Sequence, residues 1–171
     1  MTLAEFNALP EADAQLALLD CCGSERWAAR VASRRPYGNP EALHKAADSI
    51  WCNLGRDDWL EAFSHHPQIG EKPASGSDSA RRWAEGEQAG ARAVSEDVKA
   101  RLARANRAYA DKFGYIYIVC ATGKSAEGIL AILNQRLQND PASELSIAAE
   151  QQRLITRIRL EKLLTSEQRS R

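Results

Sequence analysis

The chain has 171 residues, a length typical of one domain that buries most of its apolar surface without disulfides or metal ions. Its 23 basic and 23 acidic residues balance, so no broad basic surface is available for a phosphate backbone, and nucleic-acid binding is not indicated. The first twenty residues lack the pattern of a secretion signal, and no apolar run is long enough to span a membrane. We therefore expect a single domain over residues 1–171, located in the cytoplasm.

The four cysteines do not form a recognisable functional pattern. Cys21 and Cys22 are neighbours and cannot form an ordinary disulfide, and Cys52 and Cys120 stand alone. No C-x-x-C pair is present to bind zinc. The spacing favours small apolar side chains buried in a reducing compartment over a redox or ligand role.

Helix start and stop signals cover the N-terminal half. A capping box, T-x-x-E, stands at the start of the chain, and residues that favour helix N-caps precede the later stretches of apolar periodicity. The predicted helices begin after Thr2, at residue 11, after Ser24, after Asn39 and after Asp57. They end at Pro10, at Gly23, before residue 34, near Gly55 and just before His65.

The C-terminal half is predicted to be helical with one exception. A loop rich in Gly, Pro and Ser covers residues 68–79. The segment YIYIVCA at 115–121 is aromatic and β-branched, which favours an extended conformation, and it has no evident sheet partner. Its backbone groups still need partners, and a ligand could supply some of them. The predicted helices cover 79–90, the stretch from Ser95 to Gly114, the stretch from Ser125 to about 138, and 141 to about 164. The class is all-α with one short extended segment.

Two adjacent histidines, His65 and His66, follow the fifth predicted helix. On a helix their side chains diverge by about 100°, and His44 is the only other histidine, so a zinc site is not indicated. In the ordinary interpretation both histidines interact with the dipole at the helix C-terminus. Pro67, however, disfavours helical geometry at His66 and places it at a helix-to-loop junction, which suits acid–base chemistry.

Two further segments contain candidate polar groups. Glu87, beside Gln88, is either a solvated surface acid or a ligand-binding group, and periodicity does not decide between them. Arg157 and Arg159 lie on different faces of the final helix, so at least one can point inward and would need an anionic partner. The alternative is that both extend along the surface. One histidine, one glutamate and one arginine suffice for a metal-free site acting on a small polar anion, without naming a reaction.

Four motifs, FSHHPQIGEK, RRWAEGEQAG, KFGYIYIVCATGKS and ITRIRLEKLL, occur in this order along the chain. In order and spacing they resemble the family of 2-oxo-4-hydroxy-4-carboxy-5-ureidoimidazoline (OHCU) decarboxylases, which act last in the ureide branch of urate degradation. The resemblance extends from FNALP to the final helix and looks like a stand-alone bacterial member. It implies a two-lobed, all-helical homodimer with a cleft active site. It also implies no cofactor and a small-molecule substrate converted to (S)-allantoin and CO2.

The resemblance also implies roles for individual residues. The histidine before the proline, His66, is the catalytic one, and Glu87 holds substrate N–H groups. Arg159 directly precedes Leu160, as in the family pattern, and faces the anionic or carbonyl oxygens of the substrate. The implied substrate-binding positions are Pro67, Ala84, Glu87, Gln88, Tyr115, Ile116, Tyr117, Ile118 and Val119.

This chain departs from the family pattern at two places. Ala84 stands where many members have a serine, so a hydroxyl contact is lost there. The loop after the histidine reads PQIGEK, where many animal and plant members read PDLAGK. Three alternatives remain: a helical protein that binds a small anion or ureide without turnover, a related enzyme for a different ureide, and a metal-dependent helical hydrolase.

Overall fold

The computed structural model describes residues 1–69, 78–87 and 95–165. Within these ranges the chain forms α-helices and no β-strand, which confirms the all-α class. None of the described helices combines the length and apolar character needed to cross a membrane. The helices are α1 (Leu3–Ala8), α2 (Glu11–Cys21), α3 (Glu25–Ala32), α4 (Pro40–Cys52), α5 (Arg56–Ser64), α6 (Asp78–Glu87), α7 (Glu96–Phe113), α8 (Ala126–Arg136) and α9 (Pro141–Thr165).

The predicted helix starts are mostly confirmed, because the expected side chains make the capping bonds. Thr2 Oγ1 accepts from the backbone N–H of Glu5 at 3.1 Å, and Glu5 Oε2 accepts from the Thr2 backbone N–H at 2.8 Å, which completes the capping box. Gly114 ends α7 with φ at 81°, a left-handed conformation that favours glycine. Side-chain caps also begin α3, α4, α7 and α8, at Ser24, Asn39, Ser95 and Ser125.

Several predicted boundaries differ from the structure, and α4, for example, ends at Cys52 and not near Gly55. Helix α5 begins at Arg56, before Asp57, and it is Asp58 Oδ2 that accepts from the Gly55 backbone N–H, at 3.3 Å. Helix α6 begins at Asp78, inside the predicted loop, and helix α8 ends at residue 136 and not at about 138. The predicted end of α6 at residue 90 lies outside the described residues.

The chain divides into two compact units. The first comprises the chain up to Ala62 and from Arg153 onward, and its buried core includes Phe6, Trp27 and Leu43. Trp27 Nε1 donates to the Ala47 carbonyl at 3.1 Å, which satisfies the indole N–H inside this core.

The second unit runs from Phe63 to Gln152. Its core is an apolar cluster from α7, α8 and the segment that joins them. Tyr109 lies at the centre of this cluster, with ring-centroid distances of 4.6 Å to Phe113 and 5.3 Å to Tyr117. These separations and tilts are those that aromatic pairs prefer. The joining segment is therefore held by packing on both sides.

Candidate active site

His66 lies two residues beyond the end of α5. Its backbone N–H donates to the Phe63 carbonyl at 3.1 Å, which completes the last turn of the helix. Beyond Pro67, the carbonyl of Ile69 accepts from Nδ2 of the buried Asn106 at 3.2 Å. The backbone around His66 is thus fixed on both sides of the histidine, at the helix-to-loop junction that the sequence predicted.

The imidazole ring of His66 is bound by a glutamine from α9. His66 Nε2 lies 2.7 Å from Oε1 of Gln152, a side chain with 0% exposure. An amide oxygen only accepts hydrogen bonds, so the ring nitrogen facing it is the protonated one. In the neutral ring, the lone pair that can take up a proton is then on Nδ1.

Gln152 was not predicted as a site residue from the sequence, and its burial is known only from the structure. Glu144, Ala148 and Gln152 recur every four residues along α9, and all three are 0% exposed. Residues at this spacing share one helix face. A polar side chain on a fully buried face requires a specific partner, and here Gln152 finds it in His66.

The segment 115–121 forms neither helix nor strand, and side chains supply partners for part of its backbone. Arg136 Nη1 donates to the Ile118 carbonyl at 2.7 Å. The Cys120 backbone N–H donates to Gln151 Oε1 at 3.0 Å, and Lys124 Nζ donates to the Cys120 carbonyl at 2.8 Å. These contacts fill positions that the sequence analysis left open to a ligand.

The side chains of this segment differ in exposure. Tyr117, Ile118 and Val119 are buried, whereas Tyr115 and Ile116 are partly exposed. Burial raises the pKa of Tyr117 to about 12 against the opposing charge of Arg136, so its hydroxyl stays protonated at neutral pH. The exposed fractions single out Tyr115 and Ile116 as the side chains of this segment that a ligand can reach.

The ion pair between Arg136 and Glu144 is buried, and it supports the segment because Arg136 also bonds the Ile118 carbonyl. Arg136 Nε donates to Glu144 Oε1 at 2.7 Å, and the hydroxyl of Tyr109 donates to the same oxygen at 2.5 Å. Burial lowers the pKa of Arg136, but the hydrogen bond and charge of Glu144 outweigh burial and hold it above its usual value. Burial, reinforced by the hydrogen bond to Glu144, also raises the pKa of Tyr109. The arginine is therefore charged and the tyrosine neutral.

The two candidate arginines of α9 lie in the first unit and have different surroundings. Arg159 is 6% exposed, and its Nη1 donates to the Asp20 carbonyl at the end of α2, at 3.4 Å. The Arg157 side chain is 37% exposed and forms ion pairs with Glu41 Oε2 at 3.2 Å and Asp48 Oδ2 at 3.7 Å. The expectation that at least one arginine points inward is confirmed, and it is Arg159.

The remaining site candidates are described only in part. Glu87 is the last residue of α6, and Ala84 lies in the same helix. Gln88 lies outside the described residues, as do the side chains of Ala84 and Glu87. His66 and the 115–121 segment belong to the second unit, and Arg159 belongs to the first. Among the described residues, no three His, Cys, Asp or Glu side chains are grouped as metal ligands.

Comparison with known proteins identifies the family. The family model for OHCU decarboxylase matches residues 7–161. The chain is 40% identical over 148 residues to the uric acid degradation bifunctional protein TTL of Arabidopsis thaliana, covering 85% of this chain but only 45% of that protein. It is 30% identical over 138 residues to the 2-oxo-4-hydroxy-4-carboxy-5-ureidoimidazoline decarboxylase of Amia calva, covering 80% of this chain and 79% of that one.

A solved structure agrees with this assignment. The crystal structure of an OHCU decarboxylase in the presence of (S)-allantoin superimposes with a TM-score of 0.77 at 37% sequence identity, covering 88% of this chain and 98% of that one. The match extends over nearly the whole of that protein, so it concerns the complete fold. This chain belongs to the OHCU decarboxylase family.

Proposed function

We propose that the chain catalyses the cofactor-independent decarboxylation of OHCU to (S)-allantoin and CO2 in urate degradation, and is thus a carboxy-lyase. The observation that carries this proposal is the family match over residues 7–161. The solved relative, whose structure was determined in the presence of (S)-allantoin, supports the assignment of the product.

The reaction requires the enzyme to orient the substrate and to stabilise developing charge. The substrate ring itself takes up the electron pair, so no cofactor is needed as an electron sink. When CO2 leaves, its bonding electron pair passes into the adjacent conjugated carbonyl system of the substrate ring as an enolate. The enzyme must align the breaking bond with that π system and stabilise the oxyanion that develops. A proton must then be added to one face of the ring, because a single enantiomer of allantoin is formed.

We assign these tasks to three residues. His66 hydrogen-bonds the 4-hydroxyl or carboxylate of the substrate and supplies or relays the proton. Glu87 binds the ureido and ring N–H groups through charge-assisted hydrogen bonds. Arg159 stabilises the developing oxyanion, for which a guanidinium is suited because it remains charged even when buried. The position of His66 at a fixed helix-to-loop junction and the burial of Arg159 support these assignments.

The binding segment, assembly and location complete the proposal. We propose that Pro67, Ala84, Gln88 and the stretch 115–119 line the substrate pocket, with Tyr115 and Ile116 contributing side chains because they are partly exposed. We further propose one OHCU decarboxylase domain over residues 1–171, acting as a homodimer in the cytoplasm. The four free cysteines, three of them buried, support a reducing compartment.

The test is circular dichroism of substrate made in situ by oxidising urate and hydrolysing the product. Spontaneous decay gives racemic allantoin and no lasting signal, so the same reaction without the protein serves as the control. We expect rapid growth of a stable (S)-allantoin signal that is unaffected by a chelator. His66→Ala should reduce the rate by about 10²–10⁴-fold, as loss of a general acid–base does.

His65→Ala provides the matched control, since His65 is an exposed neighbour with no proposed role. It should retain the activity of the parent protein. A wild-type trace no faster than the blank would contradict the proposal and favour a binding protein or an enzyme for a different ureide. Full activity in His66→Ala would contradict the role of that residue alone.

A further inference from the structure

The hydrogen bond between His66 Nε2 and Gln152 Oε1 points to a role for a residue outside the three proposed catalytic groups. We propose that Gln152 is a positioning residue that holds His66 as the Nε2–H tautomer, so that Nδ1 is the ring nitrogen that exchanges a proton with the substrate. This inference rests on the proposed function and adds to it the atom of His66 at which the proton moves.

The burial of Gln152 and its hydrogen bond with His66 indicate the role of its amide group. Gln152 is 0% exposed on a face of α9 whose neighbours one and two turns earlier are Ala148 and Glu144, also 0% exposed. Burying an amide without a hydrogen bond is costly, so the residue is tolerated there because it has a partner. Its Oε1 meets His66 Nε2 at 2.7 Å. Gln152 lies within the 25-residue helix α9, whose backbone hydrogen bonds set the position of its Cα.

The backbone contacts near His66 hold the loop in place, but they do not set the orientation of the imidazole ring. The His66 backbone N–H is bonded to Phe63, and the Ile69 carbonyl is bonded to Asn106. Both contacts involve backbone atoms of the loop and do not include the imidazole. Gln152 contacts the ring itself, and its acceptor oxygen also selects which nitrogen carries the proton.

The proposed step transfers one proton from His66 to the substrate ring. The bond to the carboxylate breaks, CO2 leaves, and the electron pair enters the π system of the ring. A proton carried on Nδ1 of the His66 imidazolium passes to the ring carbon that becomes the stereocentre. His66 returns to its neutral form with the Nε2 proton still donated to Gln152. The 4-hydroxyl loses its proton as its carbon becomes a carbonyl, the ring nitrogen that received the electron pair takes up this proton, and a proton from solvent recharges Nδ1.

The first experiment is nitrogen-15 NMR of the histidine rings in the substrate-free protein. The chain has three histidines, so His65→Gln and His44→Gln variants assign the spectrum. Above the titration of the ring, we expect His66 to show a protonated Nε2 and an unprotonated Nδ1. Gln152→Met should give a mixture of tautomers at His66, because the thioether has nearly the same length but is a poor acceptor.

Gln151→Met is the matched control, because Gln151 is the adjacent glutamine but binds the Cys120 backbone and not His66. It should leave the tautomer of His66 unchanged. A wild-type His66 protonated on Nδ1 would overturn the inference, as would an unchanged tautomer in Gln152→Met. The wild-type spectrum decides even if Gln152→Met does not fold.

Kinetics give a second readout that a purely structural role would not produce. Gln152→Met should lower kcat by about 10-fold or more while KM changes by less than about 3-fold, since the loss falls on the proton step. Gln152→Glu keeps the acceptor and adds a negative charge, so it should retain the tautomer and move the His66 limb of the pH–rate profile upward by about one pH unit. An unmoved profile in Gln152→Glu would overturn the inference.

Failure of the proposed function gives a different pattern of results. If the wild-type protein shows the Nε2–H tautomer and Gln152→Met loses it, Gln152 positions His66 whatever the reaction. Absence of (S)-allantoin formation in that same wild-type preparation would then overturn the decarboxylase assignment and, with it, the proton step at Nδ1.

Discussion

Arg136 on α8 and Glu144 on α9 form a buried ion pair, with 7% and 0% of their side chains exposed. The pair also joins two other parts of the second unit, since Arg136 donates to the Ile118 carbonyl and Glu144 accepts from Tyr109. One carboxylate therefore fixes an arginine that in turn fixes the backbone of the proposed substrate-binding segment.

Replacing the carboxylate of this pair should be strongly destabilising. Glu144→Gln leaves the Arg136 guanidinium buried without a counter-charge, and breaking such a pair from one side typically costs about 3–5 kcal/mol. The free energy of unfolding from urea titrations measures the loss. The control is Glu96→Gln, which removes an exposed pair with Lys99 on the surface of α7 and should cost less than about 0.5 kcal/mol. Equal losses in both variants would contradict this account.

The sequence predicts most helices because their start signals are local. Thr2, Ser24, Asn39, Ser95 and Ser125 each bond to backbone N–H groups within the next three residues. Such contacts depend only on neighbours in the chain. The start of α5 was misplaced because its capping contact comes from inside the helix: Asp58, in the first turn, reaches back to the Gly55 N–H.

The site is less predictable because its supporting contacts join residues distant in the chain. His66 was identifiable from the proline that follows it, but its partner Gln152 is 86 residues away. Glu144 and Gln152 share a buried stripe of α9, yet polar and apolar residues alternate around this helix without a clear solvent face. Which face is buried becomes known only when the helix is packed in the fold.

Arg157 and Arg159 should differ sharply when each is replaced by lysine. The Arg157 guanidinium is bound by surface carboxylates of Glu41 and Asp48, whereas Arg159 is buried and is our proposed oxyanion donor. We expect Arg159→Lys to lower kcat/KM by about 10²-fold or more, since lysine lacks the planar fork of donors. Arg157→Lys should stay within about 3-fold of the parent enzyme.

The circular-dichroism assay measures this difference, with melting temperatures as a check. Arg159 also donates to the Asp20 carbonyl, so a variant that unfolds at the assay temperature does not report on catalysis. A larger activity loss in Arg157→Lys than in Arg159→Lys, with both proteins folded, would reverse the assignment.

His44 should make the protein less stable in mild acid. It is buried, its Nδ1 has no hydrogen-bond partner in the described part of the chain, and its pKa is lowered first by burial and then by Arg157. The carboxylates of Glu161, Glu41 and Asp48 oppose this shift without cancelling it. The unfolded chain thus binds a proton near pH 6.5 that the folded chain resists, so stability falls as pH drops below that value.

Urea titrations at pH 7.5 and pH 5.5 test this sign. If folded His44 stays neutral, its contribution lowers the free energy of unfolding by at most about 1.4 kcal/mol between these two pH values. This is the limit for one proton that only the unfolded chain binds. His44→Gln should lose less stability than the parent protein over the same interval. An equal or larger loss of stability in the variant would mean that groups other than His44 cause the loss in mild acid.

The cysteines should differ in their reactivity toward iodoacetamide in the native protein. Burial raises the pKa of the Cys22 thiol to about 12, although hydrogen bonds with Ser24 and Thr156 and the charge of Arg159 pull it down. At pH 8 only about one Cys22 thiol in ten thousand is then ionised, and the thiolate is the reactive form. Cys52 is exposed, whereas Cys21 and Cys120 are buried. Mass spectrometry should therefore find rapid labelling of Cys52 alone, and of all four cysteines after denaturation. Cys52→Ser should abolish the rapid phase, and fast labelling of Cys22 in the folded protein would contradict its burial beside Arg159.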